Sequence, residues 1–263
     1  MHSPQIIERF FLEVYHILKN VDRNVMDVWQ QINEIPVLCK ISNKIDLDHF
    51  LHEFNFIEIE DGNYTKNFYV SINKIQYICE CMKYINLDIK KLSILLDYSG
   101  FEALIEEILS RHGFHVIKNF RFSDQSTFKS NTKQKRYEID VIGIHDKYML
   151  IIDAKQWKNK DSFNAINKAA NHQLRRVIAL KKNPQKLSSL IQELLGMNYK
   201  VKLPFIMIPM MITMEDNGVK MNDNQIPLVG IYRLNAFLQE LPMYINWYKT
   251  IEIKKLFIQK QLF

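Results

Sequence analysis

The sequence predicts an α/β fold, in which a central mixed sheet is flanked by helices, preceded by a mostly helical N-terminal module. Apolar residues recur at helical spacing through much of the first 95 residues, whereas from residue 99 onward strand-like runs alternate with amphipathic helices. Seven glycines and seven prolines are few for 263 residues, so the chain is dense in regular elements. We therefore expect two domains, residues 1–95 and 96–263.

The N-terminal module is expected to begin with helices at residues 6–18, 25–32 and 47–54. The strand-like runs FIEIE and NFYVS follow, and the Asp61-Gly62 turn between them predicts a hairpin. Three helices followed by a hairpin is an order that resembles a winged helix. The third helix carries acidic residues and no lysine or arginine, so its face would repel phosphate. A helical packing or dimerisation module therefore stays open as the alternative.

The net charge and the cysteine content indicate which binding partners and which cellular compartment to expect. A formal charge of +6 and a pI near 9.0 attract phosphate backbones or an anionic membrane face. Cys39, Cys79 and Cys81 form neither a CxxC pair nor an even-numbered framework, which favours a reducing cytoplasm. The N-terminus lacks the pattern of a signal peptide, and the apolar run IMIPMMI is too short to span a bilayer. We expect a cytoplasmic protein with no membrane partner.

The second domain follows a connecting helix expected near residues 88–97. It opens with an amphipathic helix, SGFEALIEEILSRHGF, which Ser99 is expected to cap and Gly113 to end. Beyond it the pattern predicts strands at residues 115–122, 137–145, 148–155 and 205–213, a short strand in PLVGIY, and helices at 162–182 and 234–241.

Charged residues interrupt the apolar strands of the stretch YEIDVIGIHDKYMLIIDAKQWK. Because alternate side chains of a strand share a face, Asp140 lies with Ile142, and Asp153 and Lys155 lie with Ile151. Burying an uncompensated carboxylate costs on the order of several kcal/mol. A divalent cation held between the two aspartates would compensate them both.

The run DVIG, the tight HDK turn and LIIDAK together resemble the PD-(D/E)XK nuclease superfamily. Asp140 matches the first acid of its motif, Asp153 the second acid and Lys155 the lysine. Glu102, in GFEALIEEIL, matches the helix glutamate that completes the metal site in many members. The pattern is most similar to Mrr-type restriction endonucleases and archaeal Holliday-junction resolvases. The resemblance covers residues 99–240 and implies a restriction endonuclease-like three-layer core that binds Mg²⁺, for which Mn²⁺ substitutes.

The resemblance also implies roles for these residues. Glu102, Asp140 and Asp153 would hold the metal, which activates water and neutralises charge on the phosphorane. Lys155 would add fixed positive charge and position or deprotonate the attacking water. The alternative is structural: Asp153 and Lys155 form an ion pair at a strand end, and Asp140 caps a turn.

Further polar residues surround this motif in the sequence. Gln173, on the long helix, stands where such nucleases often place a glutamine beside the site, whereas His172 is expected to be a surface or packing residue. Basic residues that could contact phosphates follow in the loop and beyond it: Arg121, Lys129, Lys133, Lys135, Arg136, Lys158, Lys160, Arg175 and Arg176.

The resulting hypothesis is a Mg²⁺-dependent DNA endonuclease that acts on duplex or branched DNA. Symmetric cutting of both strands would favour a homodimer. Two alternatives remain open at this point, a non-catalytic nucleic-acid-binding or assembly protein on the same fold and a nuclease that acts on RNA.

Overall fold

A computed structural model of the chain describes residues 3–41, 43–60, 69–85, 91–92, 94–123, 136–156, 163–196, 203–214 and 220–256. The chain divides into two compact units, Met1–Leu104 and Ile105–Phe263. The assignment of separate roles to residues 1–95 and 96–263 stays a prediction. Among the described residues, no helix combines the length and the apolar character that a membrane span requires.

The N-terminal unit combines helices with a small sheet. Its helices are α1 (Pro4–Lys19), α2 (Lys44–His52) and α3 (Lys74–Tyr84), and its strands are β1 (Asp27–Gln31), β2 (Ile57–Glu60) and β3 (Tyr69–Asn73). The strands pair antiparallel in the order β1-β3-β2. An aromatic cluster from α1, α2 and α3 and the segment before β2 fills the core: Phe10, Phe11, Phe50, Phe54, Phe56 and Tyr77.

One predicted helix of this unit is wrong. Most of the segment at residues 25–32 forms strand β1 (Asp27–Gln31), in which Val28 is buried between exposed Asp27 and Trp29 and lies opposite Ile72. In so short a window, a few apolar residues fit the spacing of a helix and that of a strand equally well. Pairing with β3 decides in favour of the strand. The hairpin of β2 and β3 forms as predicted. Its Asp61-Gly62 turn lies outside the described residues, as does part of the segment expected to form a helix at 88–97, and the winged-helix interpretation stays a prediction.

From the helix Tyr98–Arg111, which begins in the first unit and ends in the second, the chain forms a larger α/β arrangement. Its helices are α4 (Tyr98–Arg111), α5 (Phe163–Lys181), α6 (Pro184–Leu195) and α7 (Leu234–Tyr244), and its strands are β4 (His115–Ser123), β5 (Arg136–His145), β6 (Tyr148–Lys155), β7 (Phe205–Thr213), β8 (Leu228–Gly230) and β9 (Ile251–Ile253). The six-stranded sheet has the order β4-β5-β6-β7-β8, and β9 also pairs with β7. Strands β4 to β6 are antiparallel, whereas β6, β7 and β8 are parallel. The predicted mixed sheet with flanking helices is therefore confirmed.

Alternate residues of β5 show that helices cover both faces of this sheet. Ile142 and Ile144 belong to a buried cluster with Val177 and Leu180 of α5 and with the apolar face of α6. A Cβ on Gly143 between them would meet Leu109 of α4 at 3.2 Å. Because neighbouring residues of a strand point to opposite faces, α4 lies on the face opposite α5 and α6. This alternation is interrupted at Asp140, because Ile139 belongs to the same cluster as Ile142 and the register of β4 with β5 omits the pair of Asn119 and Asp140.

The two ends of α4 differ in how well the sequence predicts them. At the start, Asp97 rather than Ser99 is the capping residue, because the Asp97 side chain accepts a hydrogen bond from Gly100 N at 2.7 Å. At the end, Gly113 has φ +78° and Phe114 N donates to Leu109 O at 3.1 Å, the bond of a Schellman motif. Helix α6 and strand β9 are additional elements, absent from the predicted order.

We predict that Gly113→Ala lowers the free energy of unfolding by roughly 1 kcal/mol, because an L-residue with a side chain strains at positive φ. The added Cβ would meet His145 at an ordinary 3.4 Å, so crowding contributes little. Urea denaturation of the full chain measures the effect, with Ser110→Ala on the exposed face of the same helix end as the control. Equal stability of the two variants would contradict the expected backbone strain.

Candidate active site at the carboxyl end of strand β6

The candidate site lies where β5 and β6 separate. Their ladder ends at the pair Val141↔Ile152, and the same register continued by one step would place Asp140 opposite Asp153. Strand β7 runs parallel to β6, so this is also the carboxyl end of the parallel part of the sheet. Open α/β sheets commonly bind ligands at such ends. Two buried carboxylates therefore meet at a place suited to a ligand.

Asp140 is fixed by a bond across the gap between the strands. Its Oδ2 accepts a hydrogen bond from Ala154 N at 2.8 Å, and Lys155 Nζ lies 4.0 Å from the same oxygen. The structural alternative, in which Asp140 caps a turn, does not describe this bond, because the donor belongs to the neighbouring strand. The carboxylate is thereby held beside the end of β6.

Asp153 is almost completely buried, with 2 % of its surface exposed, and two cations flank it. Lys155 Nζ lies 3.1 Å from the carboxylate, and Arg176 Nη1 of α5 donates to Oδ1. The side chains of both cations are about a quarter exposed, at 26 % and 27 %. The ion pair of Asp153 and Lys155 that the structural alternative expected is present, and Arg176 extends it.

Gln173 connects this cluster to the backbone of β6. The side chain is fully buried, its Nε2 donates to Ile151 O at 2.8 Å, and its Oε1 accepts from Arg176 Nη1 at 3.2 Å. Residues three apart on a helix share a face, so Gln173 can orient Arg176 toward Asp153. Gln173 thus lies beside the candidate site, and its contacts suit a positioning residue.

The donor chemistry of Asp140 and Asp153 suits a hard divalent cation, since Mg²⁺ commonly binds one or two carboxylates together with water and substrate phosphates. Glu102 is buried on α4. Across the described ranges, the structure has no group of three or more His, Cys, Asp or Glu side chains that could hold a metal ion. The participation of Glu102 as a third ligand remains a prediction.

A cavity of about 300 Å³ opens beside Arg176. It is lined by Arg136, Tyr137, Glu138, His172, Arg175 and Arg176. A second cavity of about 330 Å³ shares His172 and Arg175 with it and continues along α5 past Lys168 and three asparagines. His172 is exposed, in agreement with its predicted surface position. Cations and amides therefore follow one face of α5 away from the buried aspartates.

The predicted phosphate-contacting residues have different positions in the structure. Arg136 lines the 300 Å³ cavity with Arg175 and Arg176. Arg121 pairs with Glu138 at 2.9 Å on the exposed surface, and this hydrogen bond raises the pKa of the Arg121 guanidinium. The remaining basic residues of that set lie outside the described residues: Lys129, Lys133, Lys135, Lys158 and Lys160.

Sequence reasoning missed the direct contact of Arg176 with Asp153. From the sequence, Arg176 was grouped only with the basic residues that could contact phosphates. Its spacing of three from Gln173 on one helix face was the available signal. What the sequence lacks is the depth at which α5 packs on β6, and this depth brings the Arg176 guanidinium to the carboxylate.

We predict that Asp153→Ala lowers the free energy of unfolding by roughly 1 to 3 kcal/mol, because it leaves Lys155 and Arg176 facing each other without their shared counter-ion. Two neighbouring carboxylates alone would predict the opposite sign, because loss of one would relieve their repulsion, and the two cations beside Asp153 reverse that effect. Urea denaturation without added metal tests it. Glu138→Ala, which breaks an exposed pair, is the control and should change little. A variant as stable as the wild type would contradict the importance of the cluster.

A family model matches the segment of the chain that contains this site. The family model of the nuclease-related domain (NERD) matches residues 99–205. No curated protein matches the chain. A solved structure, that of protein VC1899 from Vibrio cholerae, aligns at 13% identity with a TM-score of 0.29 and covers 94% of this chain, which in turn spans 58% of that protein's chain. Asp140, Asp153 and Lys155 thus lie in a segment that matches the nuclease-related domain, whose fold is of the restriction endonuclease-like, PD-(D/E)XK type.

Proposed function

We propose that this protein is a metal-dependent endonuclease that hydrolyses phosphodiester bonds in DNA. The observation that carries the proposal is the meeting of Asp140, Asp153 and Lys155 at the carboxyl end of β6, within the segment that matches the nuclease-related domain. The three residues match the PD-(D/E)XK motif in order and in strand position. The activity is accordingly of the Mg²⁺-dependent PD-(D/E)XK type.

The carboxylates of Asp140 and Asp153 would hold Mg²⁺ or Mn²⁺, with Glu102 proposed as a further ligand. When bound, the metal lowers the pKa of water and neutralises charge that develops on the phosphate. Asp140 is already oriented by Ala154 N, so its position does not depend on the metal. Gln173 acts as a positioning residue through its bonds to β6 and Arg176.

Lys155 supplies positive charge beside both carboxylates. Its Nζ lies 3.1 Å from Asp153 and 4.0 Å from Asp140, at the exposed edge of the cluster. An ammonium group in this place stabilises negative charge on the phosphate oxygens and can donate a hydrogen bond to the attacking water, whereas accepting a proton from that water would require the neutral amine. The contribution is electrostatic and should be lost when the charge is removed.

DNA is the proposed substrate, in duplex or branched form. Arg136, Arg175 and Arg176 line the cavity next to the aspartates, and arginine binds phosphate through paired donors. The predicted lysines between residues 124 and 158 would extend this contact. We further propose a cytoplasmic homodimer, in which residues 1–95 serve as a winged-helix or packing module. Free cysteines at Cys39, Cys79 and Cys81 suit that compartment.

A second candidate is a non-catalytic nucleic-acid-binding protein on the same fold. The observation that favours it is the pairing of Asp153 with both Lys155 and Arg176, since these cations neutralise the carboxylate without a metal. A protein of this kind would still bind nucleic acid at the basic cavity but would not hydrolyse it. Cleavage assays distinguish the two candidates.

We predict that Lys155→Ala lowers the Mg²⁺-dependent cleavage rate by roughly 100-fold or more, because it removes charge compensation in the transition state. Rates are measured with duplex, branched and single-stranded DNA and with RNA, which also separates a DNA nuclease from one that acts on RNA. Lys147→Ala, at the exposed opposite end of the same strand pair, is the matched control and keeps wild-type activity. Wild-type protein that binds DNA and cleaves none of these substrates would support the non-catalytic candidate.

We also predict that the double variant Arg136→Ala, Arg175→Ala binds duplex DNA more weakly, whatever its sequence, and with a weaker salt dependence. Each lost phosphate contact removes roughly 0.9 from the slope of log affinity against log salt. Fluorescence anisotropy across a salt series measures this slope, again with Lys147→Ala as the control. A slope that stays at the wild-type value would show that the cavity does not contact the DNA backbone.

A further inference from the structure

Arg176 belongs to two sites at once. One guanidinium nitrogen donates to the buried Asp153 carboxylate, and the same side chain lines the 300 Å³ cavity that contains Arg136 and Arg175. Arg175 also lines this cavity, but it is Arg176 that contacts Asp153 of the candidate metal site. The position of Arg176 therefore connects the metal ligands with the proposed path of the nucleic acid.

Arg176 and a divalent cation cannot both bind Asp153 Oδ1 favourably. The carboxylate is nearly inaccessible to water, so repulsion between the guanidinium and a cation at the same oxygen is poorly screened. Either the metal remains weakly bound or the guanidinium moves. Lys155 contacts the carboxylate too, but it belongs to the same strand, and its place beside both aspartates agrees with the motif lysine.

The cavity offers Arg176 another anionic partner. A backbone phosphate there would be attracted by Arg136 and Arg175, and guanidinium groups bind phosphate oxygens at least as well as carboxylate oxygens. The Arg176 side chain is 27 % exposed, so its head can reach solvent without unpacking α5. Gln173 Oε1, a neutral acceptor 3.2 Å away, holds the guanidinium near the boundary between the two sites.

We propose that Arg176 exchanges the Asp153 carboxylate for a backbone phosphate of bound nucleic acid, so that nucleic acid and divalent cation favour each other's binding. This inference rests on the proposed metal-dependent function and adds a coupling between its two ligands. Arg176 restrains metal binding until substrate is present. The coupling is reciprocal, because each ligand raises the affinity for the other by the same factor.

The test is a calorimetric Mn²⁺ titration of the full chain, at fixed ionic strength, with and without a short phosphorothioate duplex that resists hydrolysis. Arg176→Met removes the guanidinium and keeps the aliphatic stem. Arg175→Met is the matched control, because it removes the same charge from the same cavity one residue away. Should Arg176→Met fail to fold, Arg176→Gln removes the charge and keeps an amide donor for Asp153.

Without duplex, Arg176→Met should bind Mn²⁺ about tenfold more tightly than the wild type, whereas Arg175→Met should remain within about twofold of it. The gain in Mn²⁺ affinity on adding saturating duplex should be larger in the wild type than in Arg176→Met. An Arg176→Met variant that binds Mn²⁺ no more tightly than Arg175→Met overturns the inference, even if the wild type binds Mn²⁺ and cleaves DNA. Failure of the wild type and of Arg176→Met to bind Mn²⁺ at all overturns the metal-dependent function as well.

Discussion

The burial of the Asp153 carboxylate is the constraint on which the site depends. A carboxylate removed from water must be compensated by cations or by hydrogen bonds, and here Lys155 and Arg176 supply the compensation. The two cations come from different elements, the end of β6 and the middle of α5. Because Arg176 belongs to α5, its pairing with Asp153 also holds α5 in place on the sheet near the carboxyl end of β6.

The sheet and its helices make this arrangement possible. The apolar cluster between β5, β6, α5 and α6 holds α5 against the face that carries Asp153. Gln173 adds a bond from α5 to the backbone of β6. The ladder of β5 and β6 ends at Val141↔Ile152, and a side-chain oxygen of Asp140 receives the Ala154 N–H. The site thus begins where regular strand pairing stops.

Much of this α/β fold follows from local patterns in the sequence. Strands β6 and β7 have the predicted bounds, because long apolar runs between turn residues have few alternatives. The face that Asp153 shares with Ile151 follows from the period of two. Strand β1 was predicted as a helix, since its identity depends on pairing with β3, some forty residues further along the chain. The contact of Arg176 with Asp153 likewise depends on the depth of helix packing, which sequence spacing does not encode.

Two interpretations of the same residues remain distinct in chemistry. As an ion cluster, Asp153, Lys155 and Arg176 stabilise the fold. As a metal site, Asp140 and Asp153 hold Mg²⁺ while Lys155 faces the substrate, and Arg176 turns to phosphate.

A crystal structure of the full chain with Mn²⁺ and a hydrolysis-resistant duplex, analysed by anomalous scattering, distinguishes these two interpretations most directly. One Mn²⁺ peak is expected within coordination distance of both Asp140 and Asp153, with Arg176 on a phosphate. Bound duplex with Arg176 still paired to Asp153 and no peak between the aspartates would contradict it.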